Sequence, residues 1–84
     1  MTGSVVAVNP RRGMVAVLTE DGDYSIIEML GDGLPDIGDP ISWRGSTPLG
    51  GEIVRNLTQG QSYDVYFQNH HVLKSQLRQQ LLLE

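Results

Sequence analysis

Apolar positions in the first two-thirds of the chain come in short runs, each broken by a turn that carries glycine or proline. Ser4-Val5-Val6-Ala7-Val8 is β-branched and reads as a strand. Asn9-Pro10-Arg11-Arg12-Gly13 is a turn, because proline fixes φ and glycine permits positive φ. Met14 to Leu18 is the returning strand. It is apolar at every position, so one of its faces must stay exposed or be covered by another part of the molecule. Glu20-Asp21-Gly22-Asp23 carries an Asp-Gly hairpin signal, and Tyr24 to Leu30 is a third strand. Gly31 to Pro40 holds glycines, prolines and aspartates and reads as a loop. Ile41 and Trp43 alternate with Ser42 and Arg44, which makes a half-buried fourth strand with Trp43 turned to the core. After a loop from Gly45 to Gly51, Ile53, Arg55 and Leu57 alternate with Val54 and Asn56 in a fifth.

The period changes along the tail. Tyr63, Val65 and Phe67 alternate with polar neighbours, as in a sixth strand. Leu73, Leu77 and Leu81 then fall four apart, on one stripe of a helix. The pattern predicts a helix within residues 69–83, with Asn69 as its N-cap. The expected organisation is a barrel over residues 1–58, followed by a strand and an amphipathic helix over 59–84 that pack on the barrel or on a second chain. The final Leu83-Glu84 has the look of a cloning remnant, and no weight is placed on it.

Eighty-four residues without cysteine imply one small domain with no disulfide or thiolate metal site. No charged-then-apolar leader and no membrane-length apolar run is visible, so the expected location is cytoplasmic, with no membrane partner. Net charge is −4, and it is unevenly placed. Residues 1–58 hold four arginines, Arg11, Arg12, Arg44 and Arg55, against eight acids, whereas the tail is balanced. An acidic module repels phosphate, whose neutralisation supplies most non-specific affinity for nucleic acid.

Five short strands joined by hairpins suggest a small Greek-key barrel of the OB type. Gly3-Ser4-Val5, Asn9, Gly13 and Asp21-Gly22 occur at the spacings of bacterial cold-shock proteins. Gly38-Asp39-Pro40-Ile41-Ser42-Trp43 is similar to that family's fourth strand, and Gly51 to Thr58 is similar to its closing strand. The chain therefore resembles a cold-shock domain over residues 3–58. The resemblance implies a five-stranded antiparallel barrel, with a strand and helix added here, that binds single-stranded RNA or DNA without catalysis.

The departures fall where that family stacks bases on aromatic rings. Its first-strand tryptophan position is Ala7 here, its Lys-Gly-Phe-Gly-Phe motif is Arg12-Gly13-Met14-Val15-Ala16, and its third-strand motif aligns with Ser25-Ile26-Ile27-Glu28-Met29. Each lost platform removes about 1–3 kcal/mol per base. Residual phosphate or base contact would then fall to Arg11, Arg12, Met14, Arg44 and Arg55. The residues in the place of the rings, Ala7, Ala16, Ile26 and Met29, form an apolar face. Such a face is either interior, covered by the tail, or a site for a protein partner.

Other constellations carry less. Adjacent helical residues diverge by about 100°, so His70 and His71 cannot converge on one ion, and neither a metal nor any other cofactor is expected. The acids of the turns sit where aspartate bonds its own backbone, and no Ser-His-acid set can be assembled with both histidines in the tail. Two readings remain. One is a weakened nucleic-acid-binding module. The other is a protein-interaction or oligomerisation module that kept the barrel, with Leu73, Leu77 and Leu81 available to a partner or to a second copy.

Overall fold

The computed structural model describes residues 1–82. Six strands are present: β1 (Thr2–Asn9), β2 (Met14–Thr19), β3 (Tyr24–Met29), β4 (Pro40–Ser42), β5 (Gly50–Asn56) and β6 (Gln61–Val72). A 3₁₀ turn (Lys74–Gln76) and one short helix, α1 (Leu77–Gln80), follow. The strands close into an all-antiparallel barrel in the order β1-β2-β3-β6-β5-β4.

The ring therefore has six strands rather than the five expected, because the tail strand lies inside it. β6 separates β3 from β5 and pairs with both, from Tyr24↔Val72 to Met29↔Val65 on one side and from Gly50↔Phe67 to Asn56↔Gln61 on the other. Its alternation supplies the reason. Tyr63, Val65 and Phe67 point inward and join Val5, Val15, Val17, Ile27, Ile41, Trp43 and Val54 in the barrel interior. Residue 58 lies in the turn between β5 and β6, where Gly60 donates its N–H to the Asn56 carbonyl.

Strand pairing also shortens the expected helix. Asn69 stays in β6 opposite Ile26, and its side chain accepts from the His70 N–H instead of capping a helix. The first helical turn begins only at Lys74, with the Gln76 side chain accepting from the Leu73 N–H at 3.2 Å. Leu83, the end of the predicted helix, and Glu84 lie outside the described residues.

β2 shows why its sequence lacks alternation. Val15 and Val17 fill the barrel, while Met14 and Ala16 are buried on its outer side. Close approach of β1 to β2 depends on Gly3, since a Cβ there would lie 2.5 Å from Val17 Cγ1 and 2.6 Å from the Leu18 carbonyl oxygen. Gly13 turns the chain between these strands at φ +66°. A polar node fastens the 31–39 loop. Buried Asn56 donates its side-chain amide to Asp39 Oδ2 at 2.7 Å, and its side-chain Oδ1 accepts the N–H groups of Thr58 and Gln59.

Candidate binding face

The outer side of β1, β2 and β3 is where the sequence predicts an apolar face, and the structure covers it from within the chain. Met14, Ala16 and Ile26 are buried together with Val72 and Leu81, and Val6, Ala7, Tyr24 and Leu77 pack around them. Ala7 is half-buried, whereas Ala16 and Ile26 have no exposed surface. Met29 does not belong to this face, because its side chain packs against the barrel interior. Two irregularities in the β3–β6 register, either side of Ile26, shift its place relative to its neighbours.

The leucine stripe divides on contact with the barrel. Leu81 is 1% exposed, Leu77 is half-buried, and Leu73 is 63% exposed and remains outside. Asn9, at the end of β1, donates to the Leu81 carbonyl at 2.8 Å, which satisfies one of the open acceptors at the end of the helix. Met14 cannot meet a base without displacing this cover.

Few aromatic surfaces remain. Trp43 is buried, as its alternation predicts, against Phe67 at a 5.2 Å ring separation, and Tyr63 and Phe67 are interior. Among the described aromatics only Tyr66 is classed as exposed, on the outer side of β6. The four arginines fall into two separate pairs. Arg11 and Arg12 are exposed in the β1–β2 turn. Arg44 and Arg55 lie near the opposite end of β1, where Thr2 pairs with Ser42 and Ser42 with Arg55. An eight-residue strand, roughly 25 Å long, separates the two groups. Arg44 and Arg55 share an open groove of about 490 Å³ with Ser42, Trp43, Glu52, Ile53 and Ser62.

The histidines are placed by β6, not by a helix. His70 Nε2 contacts the Pro48 carbonyl, which can only accept, so Nε2 carries a proton; in the neutral ring Nδ1 then accepts from Ser25 Oγ at 2.7 Å. The ring also stacks on Phe67 at 5.0 Å. A Ser-His pairing thus exists that linear spacing hid, because it depends on β3 lying beside β6. Its third member is a backbone carbonyl and Ser25 is 1% exposed, so the hydroxyl presents no reacting atom to solvent. It ties the 43–49 loop to the sheet. His71, at φ 55°, turns the other way to Asp23 Oδ2 at 2.5 Å. That bond, with one from Thr19, holds the Asp23 carboxyl below its ordinary pKa. Asp39 is likewise lowered, first by Asn56, then by the Asp36 N–H and Gln59.

Among the described residues no group of three or more potential metal ligands converges, and no helix is long and apolar enough to cross a membrane. Comparisons with protein-family models, with curated proteins and with solved structures return no match to this chain.

Proposed function

We propose that this chain is a non-enzymatic binding module of cold-shock-like, OB-type descent whose barrel serves protein contact, and that its β1–β3 face no longer grips single-stranded nucleic acid. The observation that carries this reading is the burial of Met14, Ala16 and Ile26 beneath Val72 and Leu81 of the same chain. The net charge of −4 and the inward placement of Trp43, Tyr63 and Phe67 support it. Stacking platforms and phosphate neutralisation are the two sources of affinity for a single strand, and both are depleted here.

The test is a titration of the full chain with labelled single-stranded DNA and RNA at about 20 mM salt. No binding is expected. A second reading retains nucleic acid and rests on the exposure of Arg11 and Arg12 beside the covered face. It requires binding that falls steeply with salt and is lost in Arg11→Ala/Arg12→Ala. Binding at micromolar strength that persists above roughly 200 mM salt would overturn both readings, since neither charge nor stacking could supply it.

A further inference from the structure

Asp-Gly occurs twice in the sequence, at Asp21-Gly22 and at Asp32-Gly33. Both pairs are exposed, and both glycines have positive φ, +89° and +95°. An aspartyl link to glycine is open to attack from its own backbone, because glycine has no Cβ to shield its nitrogen from the preceding carboxyl. What separates the two pairs is how firmly each is held.

Asp21-Gly22 belongs to the β2–β3 hairpin turn. The Gly22 N–H donates to the Thr19 carbonyl at 3.0 Å, and the Asp21 N–H to Thr19 Oγ1 at 3.3 Å. The Thr19 N–H in turn donates to the Asp23 carbonyl at 2.8 Å. Asp32-Gly33 lies in the 31–39 loop without such a frame. Among the described residues no hydrogen bond reaches the Gly33 N–H or the Asp32 carboxylate. The loop is nevertheless held on both sides of the pair. The Leu30 N–H donates to the Asp64 carbonyl at 3.0 Å, Leu34 packs against the barrel interior, and the Asp36 N–H donates to Asp39 Oδ2 at 2.9 Å.

We propose that Asp32-Gly33 is a site of spontaneous backbone modification, where the chain converts to a β-aspartyl link, and that Asp21-Gly22 is spared by its turn. The Gly33 nitrogen attacks Asp32 Cγ. The N–Cγ bond forms, a Cγ–O bond breaks, and the oxygen leaves as water with the amide proton and the carboxyl proton. That water is returned when the ring opens. Opening at the original main-chain carbonyl leaves Gly33 joined through the Asp32 side chain and frees an α-carboxylate. Nothing is oxidised or reduced. The product carries one extra methylene in the main chain between two anchors, so the strain is passed to Leu34. The modification is independent of what the barrel binds.

The full chain is aged warm at near-neutral pH for several weeks and mapped at intervals. An endoprotease that cuts at aspartate but not at β-aspartate reads each site, and electron-transfer fragmentation identifies the β-link. A hydrogen bond that must open before attack slows the reaction by its opening equilibrium. Product at Asp32 is therefore expected to form about tenfold faster than at Asp21, the ratio that one backbone hydrogen bond supplies. Asp32→Asn and Asp21→Asn, which close the same ring with loss of ammonia, are expected to differ in the same direction. Amide shifts in the aged fraction should centre on Leu34 and its neighbours. Equal rates at the two sites, or faster reaction at Asp21, overturn the proposal, since an unfolded fraction would attack both alike. So does an unreacted Asp32 in the folded chain when a free peptide of residues 30–35 isomerises under the same conditions, because the loop itself would then block the attack.

Discussion

Asn9 and Leu81 are separated by 72 residues, yet the Asn9 side-chain amide donates to the Leu81 carbonyl at 2.8 Å and both residues are buried. The bond anchors the last turn of the chain to the end of the first strand. It holds Leu81 over Met14, Ala16 and Ile26, and so decides which surface the barrel presents.

Leu81→Ala is expected to cost about 2–5 kcal/mol, the usual range for emptying a buried leucine site. Asn9→Ala leaves a buried carbonyl without a donor, at about 1–3 kcal/mol. Leu73→Ala, on the exposed end of the stripe, should stay within about 0.5 kcal/mol. Urea midpoints rank the three. Equal midpoints for Leu81→Ala and Leu73→Ala would mean the tail does not cover the face in solution.

Trp43→Ala removes the indole packed on Phe67 in the barrel interior and is expected to destabilise by about 3–5 kcal/mol. In a domain this small that is a large share of the total, so the thermal transition should fall steeply or vanish. An unaltered midpoint would place the ring on the surface.

Gly3→Ala drives a methyl group into Val17 and the Leu18 carbonyl, a backbone overlap that β1 can relieve only by moving away from β2. A cost of about 1–3 kcal/mol is expected, as for other overpacked sites. Gly51→Ala meets open space and serves as the control. Amide shifts at Val17 and Leu18 should move in the first variant and not in the second.

The strand positions and the buried tryptophan were legible because alternation survives wherever one side of a strand faces water. The place of β6 was not. Tyr63, Val65 and Phe67 announce a strand, but nothing local says that it pairs with β3 and β5 instead of lying outside a ring already closed. The helix lies within the predicted range but is shorter than its period suggests, for a related reason. Leu73, Leu77 and Leu81 fit a helical period, while the ladder from Asn69 to Val72 is set by distant partners, Ile26 and Tyr24. The covered face had a local signal in the uniformly apolar β2, which cannot say what covers it.

Acid should loosen the fold in part through Asp39. Its carboxyl is held below the ordinary aspartate value, chiefly by Asn56, so its folded form titrates at lower pH than the unfolded one. The stability it contributes is complete above about pH 5, where an unfolded aspartate is almost fully ionised, starts to fall near the unfolded value of about 3.9, and is gone once pH has passed below the folded value. Asp39→Asn should therefore be less stable than the parent near neutrality, and the gap in urea midpoint should narrow below about pH 4. A gap that stays constant with pH would break the assignment. Asp23, lowered by His71 and Thr19, adds a limb of the same sign that Asp23→Asn removes separately.

β6 serves two packing clusters in turn: Tyr63, Val65 and Phe67 enter the barrel, and Val72 enters the cluster outside it. That continuity governs how the molecule is made. The hairpin β1–β2–β3 is synthesised early, but β3 has no neighbour on its far side until residues 61–72 have left the ribosome. Its apolar outer surface waits for residue 81. Nascent chains are thus left with an unmatched strand and a bare hydrophobic side, the state in which small β proteins misassociate or recruit holding factors. Tethered to the ribosome through an added C-terminal linker long enough to clear the exit tunnel, a chain ending at Asn56 should be protease-sensitive, and one carrying all 84 residues should be folded.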